Sequence, residues 1–230
     1  ILTIYHSLIT LDWVPWRFRN HLERWVENYV RPRHPMFYHW IHCGHWKNPV
    51  RAITRGPKHH FFGYYDKSPW NASNRYLLAH EVDFNDRPPD ATDRIGICVI
   101  DTKTGDALTN LTKTSAWNWQ QGSMAQWHPA DPENLLVYND RRGDHFLGVA
   151  RHLERGEFAI YDRPLYALLP DGSTAYSLNF ARLASHRPGY GYAGGCDIYS
   201  DIQAPAEDGI WRIEVRTGRS NLIVSLAELA

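Results

Sequence analysis

Three groups of residues, far apart in the chain, carry side chains able to bind or transform a hydroxylated ligand: His60, Tyr64, Tyr65 and Asp66; Asn118, Gln120 and Gln121; and Asn179 with Arg182. An imidazole or carboxylate within hydrogen-bond reach of a substrate proton acts as a general base or ligates a metal, and His60 and Asp66 are the candidates for those roles. A guanidinium pairs a carboxylate through two parallel hydrogen bonds, the role open to Arg182. The amides of Asn118, Gln120, Gln121 and Asn179 can hold hydroxyls, and the rings of Tyr64 and Tyr65 join an apolar face to a polar tip. Together these chemistries point to an oligosaccharide or polysaccharide, bound or cleaved. Asp, Asn and Gln at strand starts also cap turns and satisfy backbone donors, so each residue has a purely structural alternative.

The elements that would gather these residues are strands. Residues 76–82, 95–101, 107–111, 135–139, 156–162, 165–169, 175–180 and 210–215 are short runs rich in β-formers, separated by turn residues. Ile100-Asp101-Thr102-Lys103-Thr104-Gly105 and Ile213-Glu214-Val215-Arg216-Thr217-Gly218 repeat one order of residue types, the end of an antiparallel strand and its tight turn. Units of about 40 to 50 residues with four strands each build β-propellers. On this spacing one unit ends near Leu111, a second near the Pro170-Asp171-Gly172 turn and a third near Leu226, with insertions at 83–93 and 185–208. The fold class expected is therefore mostly β, a partial β-propeller of about three four-stranded antiparallel blades, preceded by an N-terminal α-helical segment. Three blades are about half a ring, so further blades are expected beyond this sequence. In a propeller the innermost strand of each blade starts at a central funnel, where the three groups would meet.

Between the two repeated phrases lies the densest cluster of rings, amides and imidazole in the chain, from Trp117 to Pro129, and it reads as too polar for a core. Residues 1–56 differ from 57–230. Trp16, Phe18, Leu22, Trp25, Val26 and Tyr29 fall mostly at three- and four-residue steps, an amphipathic helix opened by Pro15 and closed by Pro32. His34, His39, His42, Cys43 and His45 follow it; zinc takes such ligands, but Gly44 breaks the register and the interleaved rings point to packing.

The 25 basic residues balance 25 acidic ones, leaving no global field for nucleic acid. No run of about 18 apolar residues exists, so no membrane span is expected, and no leader sequence is visible. Three scattered cysteines give no disulfide framework and leave the compartment open. No Gly-rich phosphate loop, Gly-x-Ser-x-Gly elbow or zincin motif occurs. Asn139 to His145 reads as a charged, solvated hairpin tip.

His59-His60-Phe61-Phe62-Gly63-Tyr64-Tyr65-Asp66-Lys67-Ser68-Pro69-Trp70, followed by a strand, a Thr-Gly turn, Trp119-Gln120-Gln121-Gly122 and Gln126-Trp127-His128-Pro129, resembles the blade layout of TolB-like propellers, most closely the branch that includes oligogalacturonate lyases. The resemblance covers about residues 55–226. It implies a seven-bladed propeller and metal-assisted β-elimination on short uronate oligosaccharides, with a divalent metal as cofactor. It also implies a metal site of several His and a Gln, largely in later blades than this chain contains. Two functions are therefore expected in competition. One is a carbohydrate-directed propeller with a polar aromatic funnel, as a lyase or hydrolase. The other is a noncatalytic scaffold whose rings anchor a protein partner.

Overall fold

The structure, a computed structural model, describes residues 51–230. The N-terminal helix and the His34–His45 run expected from sequence lie outside the described residues. Contacts divide the chain into two units, Ile1–Ala52 and Ile53–Ala230.

The second unit is built on three four-stranded antiparallel sheets, each a simple meander. The first holds β1 (His59–Phe61), β2 (Tyr76–Val82), β3 (Ile95–Asp101) and β4 (Ala107–Thr114). The second holds β5 (Gln126–Trp127), β6 (Leu135–Arg142), β7 (His145–His152) and β8 (Gly156–Tyr161). The third holds β9 (Ala167–Leu168), β10 (Thr174–Ser177), β11 (Gly209–Glu214) and β12 (Ser220–Ser225). Two short helices, α1 (Phe180–His186) and α2 (Leu226–Leu229), complete it. The β-dominated architecture expected from the strand and turn pattern is present. Among the described residues no helix is long and apolar enough to cross a membrane.

Central strands are buried along their length because both faces are covered, and their sequences are continuous apolar runs such as Ile95 to Ile100. Edge strands alternate; β4 exposes Lys113, whose charge discourages a fifth strand. In each sheet the third and fourth strands are joined through a left-handed glycine, Gly105, Gly156 or Gly218 (φ 77°, 83° and 71°). Each of these strand pairs also carries a bulge, at Ile97/Cys98, Ala150/Arg151 and Ile210/Trp211. The two Thr-Gly phrases are thus two of three equivalent turns.

The second sheet departs from the expected boundaries. It ends at Tyr161, and Pro170-Asp171-Gly172 is the β9–β10 turn inside the third sheet, where Asp171 Oδ1 accepts the Ser173 N–H at 2.9 Å. The charged tip shrinks to Gly143-Asp144, since His145–His152 is a full strand. Gly148 masks that strand in the sequence, yet a Cβ there would lie 2.6 Å from Leu165 Cγ, so close packing requires the glycine.

The sheets pack face to face. Leu78, Ile97 and Val99 of the first meet Leu136, Tyr138, Leu147 and Val149 of the second. The opposite face of the second, Leu135, Val137, Ala150 and Tyr161, meets Ala175 and Ile213 of the third. A polar tie joins the first two sheets: His80 Nε2 lies 2.8 Å from Ser123 Oγ and accepts the Ser123 backbone N–H at 3.2 Å. Because an N–H can only donate, Nε2 carries a lone pair and the proton of neutral His80 sits on Nδ1. Gly122 beside it has φ 60°, and a Cβ there would sit 2.3 Å from His80 Cε1.

Antiparallel meanders put alternate connections at opposite ends. The connections 83–94, 115–125 and 178–208 share one end with the β6–β7 tip. Contacts gather them there: the Arg141 guanidinium donates to the carbonyls of Ala91 and Gly194, and Asn118 Nδ2 donates to those of Tyr190 (3.1 Å) and Gly191 (3.2 Å).

Burial pushes the His80 imidazolium down to about pH 4. Between pH 6.5 and 4 the unfolded chain binds a proton that the folded chain refuses, so stability falls as pH is lowered through that window, by about 3 kcal/mol in all. Urea unfolding at pH 7 and at pH 4.5 measures the loss, and His80→Gln is expected to shrink it.

Candidate functional site

The β1–β2 connection and the first strands of the second and third sheets meet at a cavity of about 390 Å³, lined by Asp66, Lys67, Ser68 and Trp70 of that connection, Gln126 and Trp127 of β5, and Ala167 and Leu168 of β9. Local sequence explains the first set. After Phe61 the chain leaves the sheet and rejoins it at Trp70, which bridges to Leu77. Gly63 permits the excursion: its φ is 148°, and a Cβ there would be 2.7 Å from the Gln121 carbonyl oxygen. The Trp127 indole N–H donates to the Pro69 carbonyl at 2.8 Å and pins the returning end.

Lys67 is the cation of this cavity. Its side chain is only 11% exposed, its Nζ is 2.9 Å from Asp66 Oδ2, and the ammonium lies 5.6 Å from the Tyr166 ring centre in the third sheet. Trp70 is 38% exposed and offers an accessible ring. Next to the cavity is a narrow crevice between Gly63, Tyr64 and Gln121. There Gln121 Oε1 is buried without a hydrogen-bond partner.

A cluster of phenols borders the crevice. The Tyr64 and Tyr65 rings are 4.4 Å apart, Tyr64 and Tyr190 meet edge-on at 6.3 Å, and the Arg187 guanidinium lies 4.5 Å from the Tyr190 ring centre. Tyr65 is almost fully exposed. Hydrogen bonds from Tyr64 and Arg187 favour the Tyr190 phenolate and draw its pKa below the ordinary tyrosine value. The same hydrogen bond with Tyr190, followed by that with Tyr65, pushes Tyr64 up to about 12.

The nine residues singled out from sequence fall into different settings. Asp66 lines the cavity, Tyr64 and Tyr65 the phenol cluster, and Gln120 is exposed on the neighbouring turn. Gln121 supplies its orphan carbonyl oxygen, while its backbone N–H is taken by Asn118 Oδ1 at 2.7 Å. Asn118 is buried and spends its amide on the turn and on the 187–195 loop. His60 Nε2 is 3.3 Å from Glu81, which also accepts from Lys58 (2.8 Å) and Asn110 (3.2 Å), so His60 belongs to a polar network of the first sheet and does not line the cavity. Asn179 caps α1, accepting the Arg182 N–H at 3.0 Å, and its Nδ2 donates to Asp197 and Asp208. Arg182 is buried, and its guanidinium pairs with Asp197 and donates to the carbonyls of Tyr199, Ile202 and Gln203. Its donors organise the 197–203 loop.

Sequence reasoning passed over Lys67, Trp70, Arg187 and Tyr190. The first two sit within the His59–Trp70 phrase; the last two stand beside Gly189-Tyr190-Gly191-Tyr192, whose alternating Gly and Tyr mark a loop pressed against other backbone. The Trp117–Pro129 stretch is largely core: Trp117, Asn118, Gln121, Ser123, Met124, Ala125, Trp127 and His128 are all buried. Trp117 and Trp119 pack at tilted and edge-on angles against Phe61 and Phe84 and hold the 83–94 loop, Trp119 by donating to the Arg87 carbonyl at 2.9 Å. Among the described residues no three His, Cys, Asp or Glu side chains are grouped to hold a metal ion.

No protein-family model matches the chain, and no curated protein does. Among the solved structures similar to it are two remote ones. One is an oligogalacturonate lyase from Vibrio parahaemolyticus, with 12% identity and a TM-score of 0.48 over 76% of this chain and 43% of that one. The other is a putative TolB from Agrobacterium tumefaciens, with 14% identity and a TM-score of 0.40 over 76% of this chain and 51% of that one. The chain spans about half the length of these structures or less.

Titration of phenolate absorbance should resolve a tyrosine ionising below the ordinary value of 10 and lost in Tyr190→Phe. The same variant should lower the ionisation of Tyr64 toward the ordinary range. An unchanged titration curve in Tyr190→Phe would dissolve the coupled pair.

Proposed function

We propose that the three-sheet unit binds a carboxylate-bearing oligosaccharide or polysaccharide in the cavity lined by residues 66–70, β5 and β9. The observation that carries this reading is the Lys67 ammonium, held in that cavity with the exposed Trp70 ring and the Gln126 amide. A cation in a confined polar cavity pairs a carboxylate more strongly than a solvated one, because the surrounding dielectric is lower. An indole face packs against the C–H face of a sugar ring, and the amide takes hydroxyls. Tyr64, Tyr65 and Tyr190, with Arg187, extend the polar aromatic surface beyond the cavity.

If the bound sugar is cleaved, Asp66 is the cavity group able to take a proton. Its carboxylate leaves Lys67 when a substrate carboxylate takes the ammonium, and its side chain, 38% exposed, stays within reach of solvent. Lys67 would then hold the substrate carboxylate while Asp66 removes the proton on the adjacent carbon; the C–H electron pair forms a C=C bond as the bond to the glycosidic oxygen on the next carbon breaks, and that oxygen leaves with a proton from solvent.

A scaffold for a protein partner is the second reading. It is favoured by exposed apolar side chains on the 178–208 connection, Ile198 at 76% and Ile202 at 49%, together with Tyr65.

Calorimetric titration with uronate oligomers and with their neutral counterparts tests the carbohydrate reading. Wild-type protein should prefer the uronate, Lys67→Ala should weaken binding at least tenfold, and its unfolding midpoint should move little. Asp66→Asn should keep binding and lose any cleavage. Equal affinity for charged and neutral oligomers, or none for either, would transfer support to the scaffold.

A further inference from the structure

We propose that Gln121 is a specificity group of the Lys67 cavity: its side-chain oxygen accepts a hydrogen bond from a free hydroxyl of the bound sugar and so excludes sugars acylated at that position. The ligand class rests on the carbohydrate reading of the cavity.

Gln121 sits in a turn held from several sides. Asn118 and Gly122 exchange backbone hydrogen bonds across it at 2.9 and 3.2 Å, the Gln121 N–H donates to Asn118 Oδ1 at 2.7 Å, and the Gln121 carbonyl accepts the Met124 N–H at 3.3 Å. The root of the side chain is therefore fixed. Beyond it the residue is only 4% exposed, and Oε1 is buried with no hydrogen-bond partner. An acceptor buried without a donor weakens a fold, and folded proteins keep few of them. The buried amides of Asn71, Asn118 and Asn139 show the contrast. Each has its nitrogen donating and its oxygen accepting within the protein.

Position gives the orphan oxygen a use. Asp66 and Lys67 line both the Gln121 crevice and the 390 Å³ cavity, so these two side chains stand between the oxygen and the cavity. The crevice is too narrow for a water molecule, and solvent cannot serve the oxygen there. A substrate carboxylate that draws Lys67 away from Asp66 opens this partition, and the hydroxyls of the same sugar then come within reach of Gln121. The lining of the crevice comes wholly from the β1–β2 and β4–β5 connections. A further sheet stacked on the third has no part in it.

The chemistry of the oxygen sets the choice. Oε1 only accepts, so the group it meets must carry a proton. An ester oxygen carries none, leaves the acceptor unpaired and adds bulk where no space is spare. Discrimination of this kind is steep, because a buried acceptor deprived of its donor has no water to turn to.

Calorimetric titration with uronate oligomers and matched neutral oligomers, each with free hydroxyls and in O-acetylated form, tests the assignment. Wild-type protein should bind the free-hydroxyl uronate at least tenfold tighter than its acetylated form. Gln121→Met, which keeps the length of the side chain and removes the acceptor, should narrow that ratio below threefold, with thermal unfolding at or above the wild-type midpoint. Gln121→Asn, which withdraws the oxygen by one carbon, should narrow it in the same direction. Full discrimination retained in both variants would overturn the proposal. So would wild-type protein that binds the two forms alike. A Gln121-dependent preference for free hydroxyls, with uronate and neutral oligomers bound equally, would instead count against the Lys67 reading alone, whereas no binding of any oligomer would overturn both.

Discussion

The second sheet is covered on both faces, and that constraint organises the rest of the unit. Leu136 and Val137 are adjacent in the chain and point to opposite sides, one toward the first sheet and one toward the third, and both are fully buried. A sheet so enclosed can tolerate polar side chains only at its ends and edges. Once its neighbours are stacked on it, the β1–β2 connection, β5 and β9 are brought close enough to line one cavity. The position of Lys67 thus follows from aliphatic packing some distance away from it.

Polar residues at the long-loop end act mainly as struts. Arg141 and Asn118 bind backbone carbonyls of other connections, and Asn179 and Arg182 bind carboxylates and carbonyls within their own, so that loops of 11 to 31 residues are fixed to the sheet ends and to one another. Burying a guanidinium such as that of Arg182 is unfavourable unless its donors are met, and here they are met by one carboxylate and three carbonyls. These satisfied groups contrast with Lys67 and Gln121, whose bonding capacity is only partly used within the protein.

The fold was legible where sequence signals were local. Runs such as Ile95 to Ile100 and the glycine turns after Asp101 and Glu214 identified strands and their ends because burial on two faces and a left-handed turn each leave a direct compositional trace. β7 was hidden because Gly148 answers to Leu165, a contact across sheets that no local pattern records. The third such turn escaped notice because Leu153-Glu154-Arg155-Gly156 keeps the glycine and drops the threonine. Site residues were harder. Asp66 and Tyr64 stood out as polar and aromatic groups in a loop, but Asn118, Asn179 and Arg182 use the same chemistry for capping that binding would use. Lys67 beside Asp66 looks in sequence like an ordinary solvated pair, and only tertiary packing encloses it.

Gly122, His80, Ser123 and Gly63 interlock where the first two sheets meet, with backbone and imidazole closer than any added methyl would allow. Such a knot imposes joint inheritance: a lineage that enlarged one of the two glycines could survive only by trimming its neighbour in the same step. Among descendants of this chain these positions should therefore drift in concert or stay frozen, while the solvent-facing edge strands diversify freely around them.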